Sequence, residues 1–327
     1  MTVVLFMFIA LLAVISGFNG GGNLMATFIA SGTMSRTMAV LLLFISLGIG
    51  PLVFGTAVSR TIAIEVVNFH RAGHVVFAVA VLAAVMTVTL TWWLRIPTST
   101  TIALGGGMVG AAILSGHSAL IHWDGVVKLL GGLIGSLVVG FVVAYGLTVL
   151  FWAVLSRLSR GMVNRLAGAQ YVTAFWQGLA YGANDQEKII GLMALFFMLF
   201  YHQTHYVVLW PAILLPLLFW GLGVVVGGWR IAKTVGGKIY HLRPMNALST
   251  QAAAALTVSM AALWGFPVST TETTDGALFG MGSALNPYKV RWPVVRKILV
   301  VWVLTMPTAL AIGSVSMIFT TLLRRWA

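Results

Sequence analysis

No cysteine occurs among the 327 residues, which removes disulfides, thiolate metal sites and cysteine nucleophiles from consideration. Charge is scarce as well: Asp, Glu, Lys and Arg make up 8% of the chain, against about 25% in soluble proteins. Acids are the rarest class, with 6 Asp and Glu against 19 Lys and Arg. There is no Gly-x-Ser-x-Gly elbow, phosphate-loop lysine motif or zinc signature. The histidines, His70, His74, His117, His122, His202, His205 and His241, sit mostly at segment ends, and His70 and His74 lie beside Arg71; a metal site would need several converging with carboxylates. No covalent chemistry is implied, and the chain is not expected to be an enzyme.

What is abundant is apolar side chain, 60% of the residues. Runs long enough to cross a hydrocarbon core of ~30 Å, about 20 helical residues, recur along the whole sequence. A membrane β-barrel would alternate apolar and polar positions instead, so the pattern predicts an all-α polytopic membrane protein. The first run, Val3 to Ser16, has neither a basic leader nor a cleavage pattern and reads as a retained helix.

The net charge of +13 does not indicate nucleic acid, because the basic residues cluster between apolar runs: Arg157, Arg160 and Arg165; Arg230, Lys233, Lys238 and Arg243; Lys289, Arg291, Arg296 and Lys297; Arg324 and Arg325. Anionic headgroups and the positive-inside rule produce this placement.

Apolar helices are expected near 2–17, 37–59, 73–94, 125–156, 166–181, 205–227, 247–264 and 297–322. Four further segments, roughly 18–34, 96–116, 182–201 and 265–285, are interrupted by Gly, Pro, Ser, Thr or Asn. Irregular backbone at membrane depth survives only where protein buries it or where it lines a cavity, so these four are the site candidates.

They come in pairs. Gly17-Phe18-Asn19 precedes Pro97-Thr98-Ser99-Thr100-Thr101, and Gly182-Ala183-Asn184-Asp185 precedes Pro267-Val268-Ser269-Thr270-Thr271. The offset is 165 residues from Asn19 to Asn184 and 170 from Pro97 to Pro267, which reads as an internal duplication. The units are an N-terminal repeat, 1–155, a short basic linker, 156–165, and a C-terminal repeat, 166–327. Broken helices at matched positions point to a transporter site between repeats.

In each Pro-x-Ser-Thr-Thr segment the proline favours an extended residue before it and a helix start after it. Hydroxyls then fall where backbone N–H groups lack intrahelical partners, the arrangement that binds anions. Ordinary capping is the competing account, since Ser269 and Glu272 have capping-box spacing. In Gly182 to Lys188, three ionisable groups lie within four residues; Asp185 and Lys188, at i and i+3, are placed to pair on one helical face, or the stretch is a short aqueous loop. Glu272 and Asp275 add two acids, so four of the six acids fall in the second-half segments. Gly20, Ile102 and Gly105 stand opposite Asp185, Glu272 and Asp275. The Gly105-Gly106-Gly107 run reads as close helix packing.

These segments together resemble the PiT-type inorganic phosphate transporters. Gly182 to Asp185 with Lys188 and Gly191, and Gly17, Asn19 and Asn23, are similar to one family signature; Pro267 to Thr271, and Pro97 with Ser99 to Thr101, are similar to the other. Gly228-Trp229-Arg230 through Gly236 and Val290-Arg291-Trp292 through Arg296 also look like family segments. The resemblance implies two inverted repeats with broken helices and re-entrant helical hairpins, about 10–12 membrane segments, in a homodimer of the plasma (inner) membrane. It implies cation-coupled phosphate symport with alternating access. Ser99, Thr100, Thr101, Ser269, Thr270, Thr271 and Lys188 form the expected anion set, and Asn19, Asn23, Asn184, Asp185, Glu272 and Asp275 the expected coupling-ion set. No cofactor is expected beyond sodium or a proton, and no metal beyond sodium. Departures from the family pattern are Gly20 for an aspartate, Ile102 and Glu272 for histidines, and Gln251 for a glutamate. Sulfate or another tetrahedral oxyanion, and a non-transporting anion sensor, remain as alternatives.

Overall fold

The computed structural model describes residues 2–155, 167–203, 205–238 and 244–326. The expected linker at 156–165, with Arg157, Arg160 and Arg165, lies outside the described residues, as do His241 and Arg243. The described chain is helical, with one isolated antiparallel bridge between Val67 and Ile121.

The first half contains α1 (Thr2–Ser16), α2 (Gly22–Ile29), α3 (Arg36–Phe54), α4 (Ala57–Ile64), α5 (Phe69–Ala72), α6 (His74–Trp93), α7 (Thr100–Leu114) and α8 (Trp123–Leu155). The second contains α9 (Gln170–Tyr181), α10 (Glu187–Phe200), α11 (Trp210–Gly223), α12 (Trp229–Lys238), α13 (Pro244–Leu263), α14 (Thr270–Leu285) and α15 (Trp292–Trp326). Six of the described helices are long and apolar enough to cross a membrane: Thr2–Ile29, Arg36–Phe54, His74–Trp93, Trp123–Val154, Trp210–Gly236 and Trp292–Leu323. With large apolar side chains such as Val3, Leu41, Val142 and Val303 facing outward, lipid rather than water is the solvent of this surface. The protein is an integral, multi-pass membrane protein.

Two of the four segments expected to be broken are not. The stretch from Thr2 to Ile29 runs as one helix through a π-helical turn at Gly17–Gly21, and Gln170 to Phe200 does the same through Gly182–Gln186. A π turn inserts a residue without interrupting the hydrogen-bond ladder, so glycine and asparagine here widen a helix instead of ending it. The packing explains the glycines: a Cβ at Gly17 would collide with the Trp220 carbonyl, and one at Gly182 with the Leu47 carbonyl. A third π turn, Val224–Gly228, joins α11 to α12. The helix expected over 37–59 stops at Phe54, where Gly55 takes φ +81°. The other two segments have an extended entry, closed by the helix starts at Thr100 and Thr270.

The short helices α7 and α14 sit across the duplication. Helix α7 packs along α15 of the second half, and α14 packs along α8 of the first. Glycines make both seams. A Cβ at Gly106 would stand 2.7 Å from the Met306 carbonyl oxygen, and one at Gly276 2.6 Å from that of Leu137. One turn on, Gly110 and Gly280 meet the carbonyls of Leu310 and Phe141. The expected close packing of the glycine run is present: Gly107 lies against the Ala80 carbonyl and Gly105 against Leu129.

Candidate functional site

Each signature turn ends in a serine that caps the helix after it. Ser99 has extended backbone, and its Oγ accepts from the Ile102 N–H at 3.3 Å; Ser269 does the same for Glu272 at 3.2 Å. Both serine oxygens thus take the capping role, while the hydroxyl protons stay available to an acceptor. The amides of Thr100, Thr101, Thr270 and Thr271 fall in the first turn, where no intrahelical carbonyl reaches them. All of these residues are buried.

The two turns meet. Thr101 Oγ1 donates to the Val268 carbonyl at 3.2 Å, and Lys188 Nζ donates to the same carbonyl at 2.7 Å. Lys188 also pairs with Asp185 Oδ1 at 3.2 Å. The i, i+3 spacing therefore gives a real ion pair, and the stretch is buried helix rather than an aqueous loop.

Asparagines on the π-turned helices fix the backbone around the turns. Asn19 makes a double amide contact with Thr98, its Nδ2 donating to the carbonyl at 2.8 Å and its Oδ1 accepting from the N–H at 3.3 Å. Asn23 Nδ2 donates to the Thr271 carbonyl at 3.1 Å, and Asn184 Nδ2 to the Phe266 carbonyl at 2.9 Å. Hence each amide nitrogen is occupied with the fold, and of the asparagines the oxygens of Asn23 and Asn184 are left over. Asn23 Oδ1, Asn184 Oδ1, Asp185 Oδ2, Glu272 Oε1 and both Asp275 oxygens are buried without a hydrogen-bond partner. Unpaired buried oxygens are costly, and hard oxygens in this number suit a small cation or protons.

Gly20 faces Asp185: a Cβ there would lie 2.6 Å from Asp185 Oδ2. Position 20 is therefore the place from which a second carboxylate would meet Asp185, and the glycine leaves that space to the one acid present. Ile102, opposite Glu272 in the duplication, lines an apolar space with Val66, Val126 and Leu129. Glu187 turns away from the site and accepts the Ser59 N–H at 3.1 Å at the start of α4, where a helix N-terminus favours negative charge.

A polar ladder lies under the second turn, of which the sequence singles out only Gln251. Tyr181 Oη donates to the Thr270 carbonyl at 2.8 Å and lies 2.7 Å from Thr274 Oγ1, which accepts from Gln177 Nε2 at 3.1 Å. Thr27 Oγ1 donates to Gln177 Oε1 at 3.0 Å, and Gln251 Nε2 reaches the Thr27 carbonyl at 3.0 Å. The only signal for it was amide side chains within otherwise apolar helices. Among the described residues, no group of His, Asp or Glu is arranged to hold a metal ion on its own.

A family model described as the phosphate transporter family matches residues 16–167 and again residues 156–313. The chain belongs to this family. Its members are transporters rather than enzymes. A Rhizobium meliloti protein named as a probable low-affinity inorganic phosphate transporter is 32% identical over 303 residues, covering 92% of this chain and 90% of its own. A Bacillus subtilis protein of the same description is 30% identical over 307 residues, covering 92% of each. A solved structure titled as the sodium-dependent phosphate transporter superposes with a TM-score of 0.87 over 98% of this chain and 99% of its own, at 21% identity, and so shares the fold.

Proposed function

We propose that this protein carries inorganic phosphate across the plasma membrane by cation-coupled symport, with the anion held between the two Ser-Thr-Thr turns. The observation that carries this reading is the meeting of the two turns at Val268, where Thr101 and Lys188 converge. Paired helix starts supply amides and hydroxyls in place of water around an oxyanion, and the Lys188 ammonium adds the positive charge. Membership of the phosphate transporter family and the printed names of its relatives supply the substrate. Alternating exposure of the site follows if the two halves are oppositely oriented and rock against each other.

Coupling is supported by the charge balance of the interior. Asp185, Glu187, Glu272 and Asp275 are buried, against Lys188 as the single buried basic side chain among the described residues. A dry interior does not hold unmatched carboxylates; protons or cations accompany them. Asp185 already has Lys188, Glu187 sits at the start of α4 away from the turns, and position 20 carries no acid, so Glu272 and Asp275 are the groups on which a coupling proton or sodium ion acts.

The test is uptake of labelled phosphate and sulfate into proteoliposomes under imposed proton or sodium gradients. Phosphate accumulation driven by one of these gradients, and its loss in the double variant Ser269→Ala/Thr270→Ala with an unchanged elution profile, is expected. Undiminished uptake by that variant would remove the site assignment. Binding without accumulation under either gradient would favour an anion sensor.

A further inference from the structure

The two signature turns have unlike mouths, although the same elements build both. Helices α6 and α13 end in the same motif: the N–H groups of Arg95 and Ile96 return to the carbonyls of Trp92 and Thr91 at 2.9 and 3.1 Å, and those of Gly265 and Phe266 to Ala262 and Ala261 at 3.0 and 2.9 Å. This is a Schellman end, whose left-handed residue is ordinarily glycine. The second half has it, Gly265 at φ +66°; the first half has Arg95 at φ +61°. A side chain is disfavoured in that conformation, so the arginine stands where the fold itself selects glycine.

Lysines show the same asymmetry. Lys128 and Lys297 each lie five residues after the tryptophan that starts α8 or α15. Lys128 is paired with Glu65 at 3.1 Å and faces a cavity of about 400 Å³ that also holds Arg60, His122 and Asp124, a balanced set. Lys297 has no acidic partner among the described residues; it and Arg95, both exposed, flank an open cavity of about 300 Å³ whose lining is otherwise Thr234 and apolar residues, Ile96 and Pro97 among them, with no acid. Pro97 opens the first signature turn.

The ordinary explanations of a basic residue at a helix end do not account for Arg95. The carbonyl end of α6 is already served by Arg230, whose Nη2 donates to the Trp93 carbonyl at 2.7 Å and whose guanidinium lies 4.9 Å over the Trp92 ring. Attraction to the helix C-terminus or to headgroups would be met as well from a neighbouring position that does not require a left-handed backbone.

We propose that this cavity, whose charged lining residues are Arg95 and Lys297, is a second phosphate-binding position, in which the two hold a phosphate group at the mouth of the first signature turn. Free phosphate on its way to or from the turns and a phospholipid headgroup share this chemistry. The inference rests on the chain handling phosphate, and its test is arranged to fail separately from that reading.

Binding of labelled inorganic phosphate to the detergent-purified protein is measured by equilibrium dialysis. The wild type is expected to show two classes of site. Arg95→Gly, which copies the second half and so threatens no fold, and Lys297→Gln are each expected to weaken one class at least about tenfold and to leave the other. Ser269→Ala/Thr270→Ala is expected to remove that other class. Short-chain phosphatidylglycerol that displaces only the Arg95-dependent phosphate identifies a headgroup as the resident occupant; phosphate retained in its presence identifies the free anion. A single class of site in the wild type, or an isotherm unchanged by Arg95→Gly, overturns the proposal.

Discussion

Lys188 holds two obligations at once, neutralising Asp185 and covering the Val268 carbonyl that Thr101 also reaches. Breaking a buried pair from one side strands a charge and costs about 3–5 kcal/mol. Lys188→Ala is therefore expected to lower the unfolding temperature sharply in detergent and to abolish phosphate uptake. Adding Asp185→Asn to it should restore part of the temperature and none of the uptake, which separates the structural role from the transport role. Gly20→Asp would set a second carboxylate against Asp185 Oδ2. Like charges at that range repel unless a cation lies between them, so this variant is expected to melt at a higher temperature in sodium than in choline chloride, a difference the wild type should not show to the same degree. These residues were legible because they recur at fixed offsets or match known signatures. Gln177, Tyr181 and Thr274 were not: they carry no motif, and only the folded helices bring them together under Thr270 with Gln251, which the sequence marked only as a departure from the family pattern.

At the scale of elements, the two proline-led turns followed from chemistry visible in the sequence, since proline, serine and threonines specify an extended entry and a capped start. The π-turned helices did not. Glycine and asparagine read as punctuation in a chain surrounded by water, whereas here Gly17 and Gly182 are small because Trp220 and Leu47 backbone atoms press on them. The glycine seams make a quantitative expectation. Leucine at Gly106 or at Gly276 would drive a side chain into the Met306 or Leu137 carbonyl, and overpacking of this kind costs about 1–3 kcal/mol or more. Both variants should lose thermal stability by similar amounts, while leucine at Gly131, which meets nothing within 4 Å, should be tolerated; fluorescence-detected size exclusion after heating measures all three.

For the whole molecule, the crossed packing of α7 on α15 and of α14 on α8 means that each half lacks the longest seam its own short helix packs into, although α6 and α13 also support these helices from within their own halves. Severing the chain between the halves should therefore leave two polypeptides that are each degraded when expressed alone, yet assemble into a working carrier when produced together, as uptake by cells expressing both would reveal. Such interleaving also ties the halves mechanically: a shift of α7 or α14 would be transmitted to the long terminal helix of the opposite half that it packs along, so that a movement begun in one repeat is felt in the other.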